Sequence, residues 1–144
     1  MVTKLEKVVI HTTKYVDYIN ITRRVEEIVA RSGIQEGIVH VITMHTTTGI
    51  MLNESLECLQ SDMEVMMNRL VPEFDTYAHS RMLHSYGTTA GNPTGHLRSM
   101  LTGSQISLPI EDGKICRGGA QEIFFCEYDG AQSRTVCVEM IGEA

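Results

Sequence analysis

Six histidines mark where this sequence could move a proton or hold a metal: His11, His40, His45, His79, His84 and His96. His11 and His40 fall inside apolar, strand-like runs and read as satisfied structural residues. His79 sits in TYAHSRMLHS, five residues before His84, and reads as a surface residue. The other three stand where sites are usually built. His45 opens HTTTGI at a strand end, His84 lies in a long irregular segment, and His96 begins a short helix. Loops and element ends held by a rigid scaffold are the common places for binding and catalysis. Three neutral imidazoles on zinc leave a fourth position open, which is the catalytic rather than the structural pattern. No H-E-x-x-H is present, and spacing alone does not bring the three together.

A second set of residues points to an anion. Thr46, Thr47 and Thr48 follow His45 directly and are closed by Gly49, so hydroxyls and backbone amides gather in one turn. Arg98 and Arg134 could supply the planar fork that phosphate prefers. The same residues also read plainly, as strand threonines and solvated arginines. Nucleotide-loop readings fail, because neither G-x-x-x-x-G-K-[ST] nor G-x-G-x-x-G occurs. No G-x-S-x-G elbow is present for a serine hydrolase.

The elements that must position these residues follow from periodicity. Leu5–Thr12 and Tyr15–Ile21 read as strands, and Thr22 as the N-cap of a helix stopped by Gly33. Gly37–Met44 and Ile50–Asn53 read as two more strands. In SDMEVMMNRLVP, Ser61 and Glu64 make a capping-box pattern, and Met63, Met66, Met67 and Leu70 form a stripe expected to pack inward. Residues 73–95 form the longest irregular stretch, and a loop of that length in a compact domain is usually functional. Thr94 then caps a short helix with Leu97, Met100 and Leu101 expected inward and Gly103 as its stop. SQISLPI, KICRG, QEIFFCEYDG and SRTVCVEMIGE close the chain as strands, the last two joined through Asp129-Gly130. Strands at both ends with helices between them predict an α+β fold with a mostly antiparallel sheet.

Composition narrows the classes. With 144 residues the chain reads as one domain, 1–144, and a net charge of −6 with scattered basic residues argues against nucleic acid. No apolar run is long enough to span a membrane. The opening MVTKLEKVVIHTTKY lacks the signal-peptide pattern, and no C-x-x-C pair occurs among Cys58, Cys116, Cys126 and Cys137. The expectation is a cytoplasmic protein with reduced thiols, Cys126 and Cys137 buried and inert.

HTTTGIMLNE, RLVP, LHSYGTTAGNPTGHLRSMLTGSQISLPIEDGKI, QEIFFCEYDG and VEMIGE, in this order, resemble the YjbQ-like family over about residues 5–144. The resemblance implies two antiparallel sheets packed as a sandwich with two or three helices, and a homotrimer. It implies a pocket holding His45, His84 and His96 as metal ligands, the metal being zinc or else magnesium. It carries Asn53, Glu54, Asn92, Gln121 and Arg134 over as the family's other recurrent polar positions. The implied activity is that of a secondary thiamine-phosphate synthase, which joins a pyrimidine-methyl diphosphate to a thiazole phosphate and releases pyrophosphate. His45, Glu54 and Arg134 are then the catalytic candidates. Thr46, Thr47, Thr48, Asn53, Asn92, Arg98 and Gln121 are the substrate-binding ones. Ser85 and Ala120 depart from the family's usual acidic residue and tryptophan, and DGAQSR from its usual DGPR turn. Because diphosphate chemistry usually uses magnesium and three imidazoles suit zinc, two alternatives stand. One is a zinc-dependent hydrolase of a small phosphate or ester, the other a non-catalytic metal- or anion-binding trimer.

Overall fold

The computed structural model describes residues 1–81 and 92–144, with the backbone alone for Arg81. Twelve elements are seen among these residues: β1 (Val2–His11), β2 (Asp17–Asn20), α1 (Thr22–Ser32), β3 (Glu36–Thr43), β4 (Thr48–Asn53), α2 (Glu57–Leu70), α3 (Ala78–Arg81), α4 (Pro93–Thr102), β5 (Gln105–Glu111), β6 (Lys114–Ile115), β7 (Glu122–Glu127) and β8 (Ser133–Glu143). One sheet has five strands in the order β1-β8-β3-β5-β6, the other three in the order β2-β7-β4. Every pairing is antiparallel. The fold class is therefore α+β with two antiparallel sheets; the sequence pattern implied the antiparallel α+β class, and the resemblance implied the two sheets.

Alternation decides which face each strand buries. On β8, Arg134, Val136, Val138 and Met140 point inward. On β3 the inward residues are Val39, Val41 and Thr43, and on β1 Ile10 is the buried one. These pack with Val25, Ile28 and Val29 of α1, which recur at helical spacing, and with Ile50, Ile123 and Phe125 of the smaller sheet. Strand β7 is buried on both faces, which explains its unbroken apolar run. Ile123 and Phe125 join the main core, whereas Phe124, Cys126 and the following Tyr128 join a second cluster with Met67. By the same parity Glu127 falls on the main-core side. Gly33 ends α1 in the left-handed conformation at φ 81°, as its position in the sequence predicts.

Both later helices differ from their expected faces. Helix α2 starts at Glu57 rather than at Ser61, and only Met67 of the expected stripe is buried; Met66 and Leu70 are 50% and 61% exposed. Helix α4 starts at Pro93 behind Asn92, so Thr94 lies inside it. It buries Thr94, Gly95 and Arg98, while Met100 and Leu101 are exposed. Apolar spacing alone misjudged both faces, because small and polar side chains make the close contacts here. Thr102 accordingly donates back to the Arg98 carbonyl oxygen at 3.0 Å.

Candidate functional site

HTTTG carries the chain from one sheet to the other. Strand β3 ends at Thr43 and β4 begins at Thr48 in the second sheet, so residues 44–47 form the bridge. The bridge is pinned on both sides. Met44 N donates to the Thr135 carbonyl at 3.2 Å, and Tyr128 N donates to the Thr47 carbonyl at 3.0 Å. Inside the turn the Thr43 and Thr48 hydroxyls lie 2.6 Å apart.

His45 extends the β8 ladder where β3 leaves it. Thr135 N donates to His45 Nε2 at 2.8 Å, so the ring stands in for a backbone carbonyl. An acceptor at Nε2 fixes the neutral tautomer with its proton on Nδ1. Burial, and secondarily the nearby Arg134 charge, lower the His45 pKa and keep the ring neutral. His45 therefore presents one N–H donor beside a turn of hydroxyls, with Thr46 exposed and Thr47 and Thr48 buried.

Behind this turn lies a buried ion pair that spacing did not reveal. Arg134 Nε donates to Glu127 Oε1 at 2.8 Å and Arg134 Nη2 to Glu127 Oε2 at 2.6 Å, a two-point fork. Arg134 Nη2 also reaches Thr47 Oγ1 at 3.1 Å. Thr12 Oγ1 donates to Glu127 Oε1 at 2.8 Å, and Asp129 N to Oε2 at 3.0 Å. Burial alone would push the Glu127 pKa up; the Arg134 fork, the Thr12 hydroxyl and the Asp129 amide outweigh it and hold the carboxyl below its ordinary value. The available signal was the Glu127 side chain itself, a carboxylate inside the apolar run IFFCEY. The Nη1 amino group of Arg134 makes no hydrogen bond to a described residue.

Helix α4 closes one side. Asn92 Nδ2 donates to Asp129 Oδ2 at 2.8 Å, while Asn92 Oδ1 is buried with no partner among the described residues. A Cβ on Gly95 would lie 3.0 Å from the Tyr128 carbonyl and 3.1 Å from Thr47 Cγ2, so only glycine lets the helix approach this closely. His96 is half-buried and stacks on His79 with ring centroids 5.0 Å apart. Arg98, one turn on from Thr94, is buried against the end of α2.

The structure thus gathers Thr47, Asn92 and Arg134 through one hydrogen-bonded network with Glu127 and Asp129, and places His45 within electrostatic reach of Arg134 and Glu127. It does not bring Asn53, Glu54 or Gln121 to that network. Thr48 pairs with Glu127 across β4 and β7, and Asn53 pairs with Glu122 at the far end. Five residue steps along the strand separate the two ends, or about 17 Å. There Gln121 Oε1 accepts Gly118 N at 2.8 Å, and Asn53 Oδ1 accepts Glu54 N at 2.9 Å.

His84 lies outside the described residues. Among those described, no group of three His, Cys, Asp or Glu side chains is placed to hold a metal. In this conformation His45 does not suit a ligand. Its Nε2 lone pair already accepts Thr135 N. Coordination through Nδ1 would move the ring proton to Nε2 and set two donors face to face. A metal here therefore requires the ring to leave the β8 ladder. His11 and His40 are satisfied strand residues, paired with Ser133 Oγ at 2.9 Å and Ser107 Oγ at 2.8 Å.

The profile of the UPF0047 protein YjbQ-like family matches residues 6–143. The chain belongs to this family. A UPF0047 protein of Archaeoglobus fulgidus is 36% identical over 130 residues, covering 90% of this chain and 95% of its own. The UPF0047 protein YugU of Bacillus subtilis is 34% identical over 138 residues, covering 96% and 99%. Among solved structures, a YbjQ-like protein of unknown function from Sulfolobus solfataricus superposes with a TM-score of 0.90 at 28% identity over 98% of both chains. A family protein from Clostridium acetobutylicum gives 0.84 at 31% identity, over 94% of this chain and 99% of its own.

Proposed function

We propose that this YjbQ-like chain is an enzyme of small phosphorylated substrates, resembling secondary thiamine-phosphate synthases. It would join a pyrimidine-methyl diphosphate to a thiazole phosphate and release pyrophosphate. The supporting observation is the buried Glu127–Arg134 pair. It fixes a guanidinium against Thr47 and leaves Nη1 unpaired within the described residues. Charges are costly to bury, and a pair retained beside a loop of hydroxyls is a candidate functional group. The diphosphate leaves with its bonding electron pair while the thiazole nitrogen forms the new bond to the methylene carbon. Arg134 Nη1, the Thr46 hydroxyl and the His45 Nδ1–H are the donors available to the developing negative charge. Such fixed donors act mainly by positioning and charge stabilisation. Asn53, Glu54 and Gln121 enter the same site only if a neighbouring copy supplies them, which gives the homotrimer a functional reason.

Synthesis and hydrolysis of the phosphate ester, followed side by side, test this reading. Arg134→Lys keeps the charge but loses the fork, and we expect turnover to fall roughly ten- to a thousandfold. Equal rates in wild type and variant would return Arg134 to a structural role. Tight pyrophosphate binding without turnover of either reaction would favour a non-catalytic anion-binding protein.

A further inference from the structure

Between α2 and α4 lies a cavity of about 380 Å³ with no role in the reading above. Its walls are Tyr15, Tyr18 and Tyr128, with Met67 on one side and Arg98, Glu64 and Glu73 as the charged groups. Its size falls in the range of small-molecule sites. The Tyr18 and Tyr128 rings meet edge to face with centroids 6.2 Å apart.

Arg98 is the informative residue. It is 3% exposed, yet its hydrogen bonding is incomplete. Nη2 donates to Asn68 Oδ1 and to the Val71 carbonyl, both at 3.1 Å. Nε has no partner among the described residues but is sealed off from any ligand, whereas Nη1, which makes no hydrogen bond to a described residue, is the donor left to the cavity. A guanidinium has five N–H donors, and buried donors are normally satisfied. The contrast with Arg134 is direct, since that guanidinium is gripped at two points by its carboxylate. Glu73 reaches Arg98 only at 3.5 Å and is 40% exposed. It is held instead by Tyr15, whose hydroxyl donates to Glu73 Oε1 at 2.7 Å. Arg98 therefore lines the cavity with Nη1 as its unmatched donor among the described residues.

The charge balance selects the ligand. One guanidinium and two carboxylates leave the wall with an excess negative charge, which disfavours an anion. Glu64 stands on the exposed side of α2 and offers only acceptors. The tyrosine rings offer flat faces to a ring.

We propose that this cavity binds a planar amino-heterocycle, uncharged or singly cationic, whose acceptor edge meets Arg98 and whose exocyclic amine meets Glu64. The ring lies among the tyrosines. This inference stands on the cavity's own walls and is independent of the reaction proposed above.

Three probes separate the possibilities in amide-detected NMR titrations of the intact protein. Cytosine carries both the acceptor edge and the amine, uracil lacks the amine, and benzoate carries a negative charge. We expect cytosine to shift the amides of Val16, Met67 and Asn68 and to bind roughly tenfold tighter than uracil, with benzoate weaker still. Glu64→Gln, on an exposed helix surface, should weaken cytosine roughly tenfold and leave uracil unchanged. Arg98→Met should abolish binding of both. The proposal is overturned if benzoate binds as well as cytosine, or if Glu64→Gln affects neither base. It is equally overturned if none of the probes shifts these amides at about 10 mM, a concentration that detects even millimolar affinity.

Discussion

At the scale of single residues, the two arginines singled out in the sequence do different work. Arg134 is locked to Glu127, and Arg98 is buried but only loosely matched by Glu73. The first pair should behave as a structural unit. Glu127→Gln leaves the Arg134 charge buried without its counter-ion, and we expect a loss of about 3–5 kcal/mol in urea unfolding at neutral pH. The pair also sets an acid limit. Glu127 has a lower pKa folded than its ordinary value of 4.5. The unfolded chain therefore takes up a proton first as pH falls. The stabilisation is complete above the ordinary value and disappears as pH drops through the folded one. Wild-type stability should consequently decline more steeply below about pH 4.5 than that of Glu127→Gln. Parallel slopes for the two proteins would remove Glu127 from the acid limb. Cys126 is a simpler case: it is fully buried, and burial pushes its thiol up to about 12, so it should resist labelling in the native protein. Cys137, expected to be buried, faces outward and half-exposed instead, with its thiol 3.3 Å from Met44 Sδ.

At the scale of elements, the contact between α4 and the His45 turn depends on one missing side chain. Gly95→Ala would press a methyl group against Thr47 and the Tyr128 carbonyl. We expect this overpacking to cost about 1–3 kcal/mol, read as a melting temperature lower by several degrees. A change confined to activity, with unchanged melting, would show that the helix can move away freely. The same region shows where sequence reading worked and where it stopped. Strands β1, β3, β7 and β8 were legible because alternation or unbroken apolarity reflects how many faces are covered. Helix α1 was legible because Val25, Ile28 and Val29 all meet the core. The faces of α2 and α4 were not, because Arg98, Thr94 and Gly95 are buried through specific partners rather than through hydrophobicity. His45, Thr47 and Arg134 could be named from type and motif. Glu127, Tyr15 and Glu73 could not, since their roles arise from pairings 58 to 115 residues apart or from strand ends that meet only after folding.

At the scale of the whole molecule, the outer face of the five-stranded sheet is left uncovered by the described residues. Leu5, Val9 and Ile38 are 56%, 50% and 46% exposed there. The register aligns Leu5 with Glu139, and Glu139 with His40, so the face is a mosaic of apolar and polar groups across three strands. On α2, Val65, Met66 and Leu70 are exposed as well. An interaction surface between copies is one explanation for several large apolar side chains exposed on one face. Association of identical copies with closed symmetry covers such faces without leaving open ends. The homotrimer proposed above would also let Asn53, Glu54 and Gln121 of one copy approach the His45 turn of another, across a gap that a single chain cannot close. We therefore expect light scattering at micromolar concentration to give three times the chain mass of 16.1 kDa. Leu5→Lys, which places a charge in the middle of the uncovered face, should shift that mass towards the monomer while circular dichroism stays native. Mixing inactive His45→Ala with inactive Glu54→Ala should restore part of the activity if the site is shared between copies, because some mixed assemblies then hold one intact site. A monomer mass for the wild type would remove both the shared site and the reason for the exposed sheet face, and would leave Asn53, Glu54 and Gln121 as residues of a separate surface.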